Sequence, residues 1–75
     1  MKNNIKALRA EMNMSQSQLA GKARISRPYL SYIENGHAPS LSIAKQISSA
    51  LGETVDFVFF TKMSYKVDNA PEEVS

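Results

Sequence analysis

The sequence predicts an all-α fold of five short helices, followed by a short C-terminal strand or an extended tail. Apolar residues recur every three or four positions, which is the period of an amphipathic helix. A residue type that favours helix N-caps precedes each of these segments. Because the chain has 75 residues and no cysteine, one domain stabilised by helix packing is expected, without disulfides.

The first two helices are predicted from their start and stop signals. The first begins after Asn3 or Asn4 and ends near Asn13, a residue type that tolerates left-handed geometry. The second begins at Ser15, which can form a capping box with Gln18. Their apolar stripes contain Ile5, Leu8 and Met12 in the first helix, and Leu19, Ala20 and Ala23 in the second.

The third, fourth and fifth helices are predicted to begin after Ser26, Ser40 and Thr54. Pro28 would occupy the second position of the third helix, where a missing N–H is tolerated because first-turn donors lack partners. Glycines after the third and fourth helices supply the positive φ of a helix end. The expected buried residues are Leu30 and Ile33, then Ile43, Ala44, Ile47 and Leu51, and part of segment 57–60.

The C-terminal part divides the chain into a helical unit, residues 1–60, and a tail, residues 61–75. In the tail, segment 63–67 alternates like a strand, and the acidic end is expected to be disordered. Three phenylalanines within four residues cannot all face one core, and exposed apolar patches mark interfaces. We predict a homodimer contact here, with segment 63–67 crossing to the partner or folding back; the alternative is a tail that caps its own domain. The predicted contact residues are Phe57, Phe59, Phe60, Met63 and Tyr65.

Charge is distributed unevenly. Residues 1–45 carry seven basic and two acidic side chains, a net of +5, whereas residues 46–75 carry two and five, a net of −3. A basic half indicates a polyanionic partner, although ordinary surface scatter would give a weaker form of the same pattern. No apolar run approaches the roughly 20 residues of a membrane span, and the N-terminus lacks the apolar stretch of a signal peptide. We therefore expect a cytoplasmic protein without a membrane partner.

Catalytic and metal-binding patterns are not found in the sequence. His37 is the single histidine, and the serines are interpreted as helix caps because no base accompanies them. No glycine-rich phosphate loop is present. We expect neither an enzyme nor a cofactor or metal site.

Residues 16–35 are predicted to form two short helices joined by a tight turn. Ala20 is small enough to let such helices cross closely. The packing leaves one face of the third helix free, with positions spaced i, i+1, i+4 and i+5. A helix about 10–12 Å wide fits the major groove of DNA, which is about 12 Å wide. The residues of this face are Arg27, Pro28, Ser31 and Tyr32.

The chain carries five blocks in a familiar order and spacing: IKALR, MSQSQLA, ISRPYLSYIENG, PSL and ALG, beginning at positions 5, 14, 25, 39 and 50. With these blocks it resembles the Xre/Cro-type, lambda-repressor-like helix-turn-helix family over about residues 3–60. The resemblance implies a compact five-helix bundle that binds DNA, usually as a dimer.

The resemblance also implies roles for individual residues. Arg27, Pro28 and Tyr32 match base-reading positions, and Ser31 lies at the margin of that face. Arg27 would pair with guanine O6 and N7, and Pro28 would either pack on a thymine methyl or only pre-set the helix. Phosphate contacts are implied for Gln16, Asn35 and His37 and are weighed equally with core packing for Tyr29. A structural ion pair is implied for Arg9 and Glu34.

The sequence departs from the family pattern at four places. Gly21 replaces a stronger helix former, and the tail after Phe60 has no clear counterpart. Arg24 stands where glycine is usual, so either the residue is strained or the turn differs. The loop after Gly36 holds His37 and Ala38 instead of lysine or arginine, which predicts a modest salt dependence of DNA binding.

Two functions follow as hypotheses. The first is a transcriptional regulator, expected to be a repressor, that binds a near-palindromic operator in double-stranded DNA as a dimer. The second is a protein-interaction module, antitoxin-like or an adaptor, in which a protein partner matters more than DNA.

Overall fold

The structure, a computed structural model, describes residues 2–61. These residues form α1 (Ile5–Glu11), α2 (Gln16–Ala23), α3 (Arg27–Glu34), α4 (Leu41–Leu51) and α5 (Val55–Phe59). The predicted all-α, five-helix fold is confirmed. The strand predicted for segment 63–67 lies outside the described residues. Within residues 2–61, no helix is long and apolar enough to cross a membrane.

Four of the five helices begin with a side-chain cap. In each case the hydroxyl of the cap accepts a hydrogen bond of 3.0–3.2 Å from the backbone N–H three residues later. Gln18 Oε1 also accepts from the Ser15 N–H at 2.8 Å, which completes the predicted capping box. Each cap is worth about 1 kcal/mol. The four caps are Ser15, Ser26, Ser40 and Thr54.

The two asparagines before α1 stabilise other helices more than their own. Asn4 occupies the N-cap position, but its side chain makes no cap hydrogen bond and instead donates to the Phe57 carbonyl at 2.6 Å. Asn3 accepts from the Ile5 N–H at 3.2 Å and donates to the Ile33 carbonyl at 2.9 Å. The two side chains thus donate to carbonyls near the ends of α5 and α3, and the Ile33 carbonyl accepts from the Gly36 N–H as well.

The core lies between α4 and the helices around it. α4 packs mainly against α2 and α5. Its Gln46 side chain donates to the Ala23 carbonyl at 2.6 Å and so closes the end of α2. The buried apolar residues are Ile5, Leu8, Leu19, Ala20, Ala23, Leu30, Ile33, Ala44, Ile47, Leu51, Val58 and Phe59.

Met12 does not continue the buried stripe of α1. The helix ends at Glu11, so Met12 is its C-cap and is 43% exposed. Asn13 follows with φ of 53°, the left-handed geometry predicted for it, and turns the chain towards α2. The helical period therefore fails here because the helix stops one residue too early.

The turn between α2 and α3 contains a non-glycine residue in left-handed geometry. Arg24 has φ of 62° and ψ of 42°. The Ile25 N–H donates to the Ala20 carbonyl at 3.0 Å, which closes the end of α2. The turn thus keeps a conformation that glycine adopts most easily, and Arg24 bears its cost.

Candidate nucleic-acid interface

The outer face of α3 presents the predicted base-reading residues. Arg27, Pro28 and Tyr32 are exposed, and Ser31 is half-buried at the margin. Leu30 and Ile33 point the other way, into the core. The Ser26 cap fixes the start of this helix, so its first turn is held firmly. An exposed helix face of this kind can enter a groove without disturbing the core.

Arg9 and Glu34 form an ion pair that joins α1 to the end of α3. Arg9 Nε lies 2.8 Å from Glu34 Oε2, and Arg9 Nη2 lies 3.1 Å from Oε1. The side chains are only 14% and 6% exposed. Arg9 Nη1 also donates to the Met14 carbonyl at 3.0 Å. A bidentate, largely buried pair of this kind has a fixed geometry.

Gln16 connects this ion pair to the outer face of α3. Its amide nitrogen donates to Glu34 Oε1 at 3.2 Å, and its Oε1 accepts from Arg27 Nη1 at 3.2 Å. Arg27 is therefore held by a chain of hydrogen bonds that begins at the buried carboxylate. In the protein alone the Gln16 side chain is engaged on both sides, and its contact with a DNA phosphate stays a prediction.

Aromatic rings line the same side of α3. Tyr29 is half-buried and packs against the core, and its ring centroid lies 6.3 Å from that of Tyr32. Tyr32 is 52% exposed and stacks on His37, with centroids 3.9 Å apart and planes 5° apart. The structure thus places Tyr29 in the packing role that the sequence left open, and the phosphate contact predicted for it is untested.

The loop after α3 begins at Asn35, which is exposed and forms the C-cap of the helix. Gly36 follows with φ of 112°, a conformation that side-chain-bearing residues rarely adopt. The next residue is His37, which is exposed and meets Tyr32. The phosphate contacts predicted for Asn35 and His37 are compatible with this exposure and stay predictions.

Three cationic side chains lie together near the end of α2. Lys22, Arg24 and Lys45 border an open concavity of about 660 Å³. The other residues of its lining are uncharged: Ala23, Gln46, Ser49 and Ala50. We call this surface the basic shelf. Its lining carries no acidic side chain, so it is suited to an anionic partner.

An apolar patch lies between the start of α4 and the end of α5. Leu41 is 64% exposed and Phe60 is 69% exposed. They border an apolar concavity of about 310 Å³ whose floor includes Phe59. The complete lining is Ala38, Pro39, Leu41, Ala44, Val55, Phe59 and Phe60.

The predicted dimer residues have different positions relative to this patch. Phe60 is at its rim, and Phe57 is half-buried against the core. Phe59 is largely buried in its own core and lines the concavity of the patch, so the dimer contact predicted for it stays a prediction. Met63 and Tyr65 lie outside the described residues.

Sequence reasoning did not find three features of the site: the Gln16–Arg27 hydrogen bond, the stack of His37 on Tyr32 and the exposed Leu41. The Gln16–Arg27 hydrogen bond joins two helices, so no periodicity within one helix signals it. The apolar stripe predicted for α4 starts at Ile43 and so does not include Leu41. Its spacing of three from the buried Ala44 places Leu41 beside the apolar stripe of α4, so a large apolar side chain at this position is the sequence signal, whereas its exposure is visible only in the structure.

Together the fold and the exposed face of α3 define a helix-turn-helix domain, the class of structure that presents one helix to DNA. The helix-turn-helix family model, HTH_3, matches residues 5–58. The chain belongs to this family, in its Xre or lambda-repressor-like form, whose members are DNA-binding transcriptional regulators.

Comparisons with individual proteins agree with this family. The chain is 40% identical over 67 residues to the immunity repressor protein of Bacillus phage phi105, a match of 88% of this chain and 46% of the repressor. It thus spans about half the length of that relative. It is 38% identical over 60 residues to an uncharacterized HTH-type transcriptional regulator of Methanocaldococcus jannaschii, covering 79% of this chain and 91% of that protein.

A solved structure shares the fold. It is the solution structure of the N-terminal DNA-binding domain of SinR, the master biofilm regulator of Bacillus subtilis. The TM-score is 0.68 at 35% sequence identity, covering 77% of this chain and 87% of the SinR domain.

Proposed function

We propose that the chain is a sequence-specific repressor that binds a near-palindromic operator as a dimer, with α3 in the major groove. The observation that carries this proposal is the outer face of α3, where Arg27, Pro28 and Tyr32 are exposed together on a helix anchored by a buried ion pair. Residues 1–60 would form the DNA-binding unit and residues 61–75 a tail. The action as a repressor is supported by the name of the phage relative. Operator binding implies a cytoplasmic location.

Arg27 is the residue that we assign to base reading. Its guanidinium can donate to guanine O6 and N7 at once, a contact that a duplex offers only in the major groove. Gln16 holds this side chain through one hydrogen bond from Nη1, so the arginine is oriented before DNA arrives. A guanidinium that is already oriented loses less conformational entropy on binding. Pro28 and Tyr32 would contact the neighbouring bases.

Phosphate contacts would fix the position of α3 without reading sequence. The N-terminus of α2, where Gln16 is the first residue, presents backbone N–H groups without intrahelical partners. The cations of the basic shelf add a longer-range attraction for the polyanion. Because the loop at His37 and Ala38 carries no lysine or arginine, we expect few counterions to be released and a shallow salt dependence.

A dimer would place two α3 helices in successive major grooves, about 34 Å apart. We assign the apolar patch of Leu41 and Phe60 to this contact, since large exposed apolar side chains grouped around a concavity mark interfaces. The same patch favours the second candidate function, an adaptor or antitoxin-like module that binds another protein. In that second function the patch would bind a different protein, and the exposed face of α3 would have no assigned role.

The decisive experiment is selection from a randomised DNA pool with wild type, Arg27→Ala and Lys45→Ala. Wild type should enrich a paired half-site. Arg27→Ala should lose about 1–3 kcal/mol and relax one base position in each half. Lys45→Ala removes an equal charge from the basic shelf, so it should weaken binding without changing the base preference. Enrichment of no motif by wild type would exclude the operator function and favour the adaptor.

A further inference from the structure

The stack between His37 and Tyr32 joins the loop after α3 to the face assigned to base reading. The ring centroids are 3.9 Å apart and the planes differ by 5°, so the two rings overlap face to face. Tyr29 lies beside Tyr32 at 6.3 Å with an angle of 21°. Since Tyr29 packs against the core, a row of three rings leads from the core to the exposed surface.

The backbone brings His37 back over α3. Helix α3 ends at Glu34, Asn35 forms the C-cap, and Gly36 takes φ of 112°. The Gly36 N–H donates to the Ile33 carbonyl at 2.9 Å, which fixes the reversal of the chain. The place of His37 against Tyr32 is therefore set by backbone geometry as well as by the two rings.

An exposed tyrosine on a helix surface can occupy more than one staggered rotamer. Tyr32 is 52% exposed, so its own helix restrains the side chain only partly. A second ring stacked on its face restricts it further, and offset-stacked aromatic contacts are favourable in their own right. A base-reading side chain that is fixed before DNA binds discriminates better, because fewer alternative contacts are open to it.

We propose that His37 is a positioning residue: it stacks on Tyr32, holds that side chain in the orientation that reads its base, and so contributes to operator specificity. This proposal rests on the proposed function. It replaces the simpler idea that His37 only touches the DNA backbone. The two roles make opposite demands on a substitution, since positioning needs an aromatic ring and a phosphate contact needs a donor or a positive charge.

The first measurement needs no DNA. In the free protein, the ring current of His37 should shift the Tyr32 ring protons upfield in an aromatic NMR spectrum. His37→Ala should move these signals downfield, towards those of an unstacked tyrosine, and His37→Phe should keep them shifted. Tyr32 signals that are the same in wild type and His37→Ala would overturn the proposal, because the stack would then be absent in solution.

The second measurement is selection from a randomised DNA pool with wild type, His37→Ala, His37→Phe and His37→Lys. We expect His37→Ala to lower affinity about three- to tenfold and to relax the preference at the base next to Tyr32. His37→Phe should restore both, since it keeps the ring. His37→Lys should strengthen binding to all sequences through its charge, while the preference at that base stays relaxed.

Two results would overturn the inference. One is a His37→Phe variant that behaves like His37→Ala, and the other is a base preference that survives in all three variants. In both, wild type still enriches a motif, so the proposed function stands. A wild type that enriches no motif overturns the proposed function and, with it, the role of His37 in reading DNA.

Discussion

At the scale of single residues, Ser48 stands out because its hydroxyl is buried without a hydrogen-bond partner among residues 2–61. Such a group loses its water on folding and gains nothing in return. We predict that Ser48→Ala raises the free energy of unfolding by about 1 kcal/mol, which should raise Tm by roughly 4–8 °C in a domain of this size. Urea and thermal unfolding would measure it.

Ser49→Ala is the matched control for this change. Ser49 lies beside Ser48 on α4 but is exposed, so its substitution reports only the helix propensity of alanine. The excess of Ser48→Ala over Ser49→Ala measures the buried hydroxyl. An equal gain from the two substitutions would contradict the prediction.

Arg24 has a strained backbone conformation that lowers the stability of the fold. Its φ of 62° is unfavourable for any residue with a Cβ, by roughly 1–2 kcal/mol. We predict that Arg24→Gly is more stable than Arg24→Ala by about 1 kcal/mol, because glycine alone escapes this cost. Chemical denaturation of the two variants would test it, and equal stabilities would argue against strain at this turn.

DNA affinity should not differ between Arg24→Gly and Arg24→Ala, although their stabilities should. Both substitutions remove the same cation from the basic shelf, so both should weaken binding equally relative to wild type. If they do, arginine at position 24 lowers the stability of the fold through its backbone geometry and raises DNA affinity through its charge. The pair therefore separates backbone strain from electrostatics at one position.

At the scale of helices, the Arg9–Glu34 pair connects α1 to α3 and reaches Arg27 through Gln16. We predict that Arg9→Ala lowers the free energy of unfolding by about 3–5 kcal/mol, because it leaves the carboxylate of Glu34 buried without its main partner. The double substitution Arg9→Met with Glu34→Leu should cost much less, since no charge is then left buried.

Unfolding of these variants and wild type by urea would measure the difference, with Lys6→Ala as a control. Lys6 is an exposed cation on the same helix. If Arg9→Ala were no more harmful than Lys6→Ala, the pair would have no structural role. In the double variant, weaker discrimination by Arg27 is also expected, because Gln16 loses its acceptor on Glu34.

The starts of the helices were the most predictable elements. Ser15, Ser26, Ser40 and Thr54 act through a hydrogen bond to a residue three positions away, so the sequence itself contains both partners. Asn4 has the residue type of a cap, but its side chain donates instead to the carbonyl of Phe57, which is distant in sequence. Local signals therefore predict local bonds and do not reveal a competing tertiary partner.

The site was predictable in part for the same reason. The exposed face of α3 follows from helical spacing, since Leu30 and Ile33 turn inward. The bond from Arg27 to Gln16 depends on how two helices cross. The stack of His37 on Tyr32 depends on the turn at Gly36, whose exact φ the sequence does not specify. Arrangements between elements thus needed the structure.

At the scale of the whole molecule, two exposed surfaces indicate different kinds of partner, one DNA and the other a protein. One is basic and aromatic and lies on α3, and the other is the apolar patch of Leu41 and Phe60. An operator-binding dimer would use both, since the patch would join two copies whose α3 helices would then read the two half-sites. A monomeric DNA-binding domain would leave the patch exposed to water, which is unfavourable for large apolar side chains.

The dimer is tested by substitution at the patch. We predict that wild type sediments as a dimer at micromolar concentration and that Phe60→Ser weakens association about 30-fold or more, as expected for an aromatic side chain central to an interface. Met12→Ser is the control, because Met12 is also an exposed apolar residue but lies outside the patch. On DNA, Phe60→Ser should lose affinity for a paired site while its affinity for an isolated half-site stays unchanged. Sedimentation of wild type as an 8.3 kDa species alone would remove the dimer and leave the patch to another protein.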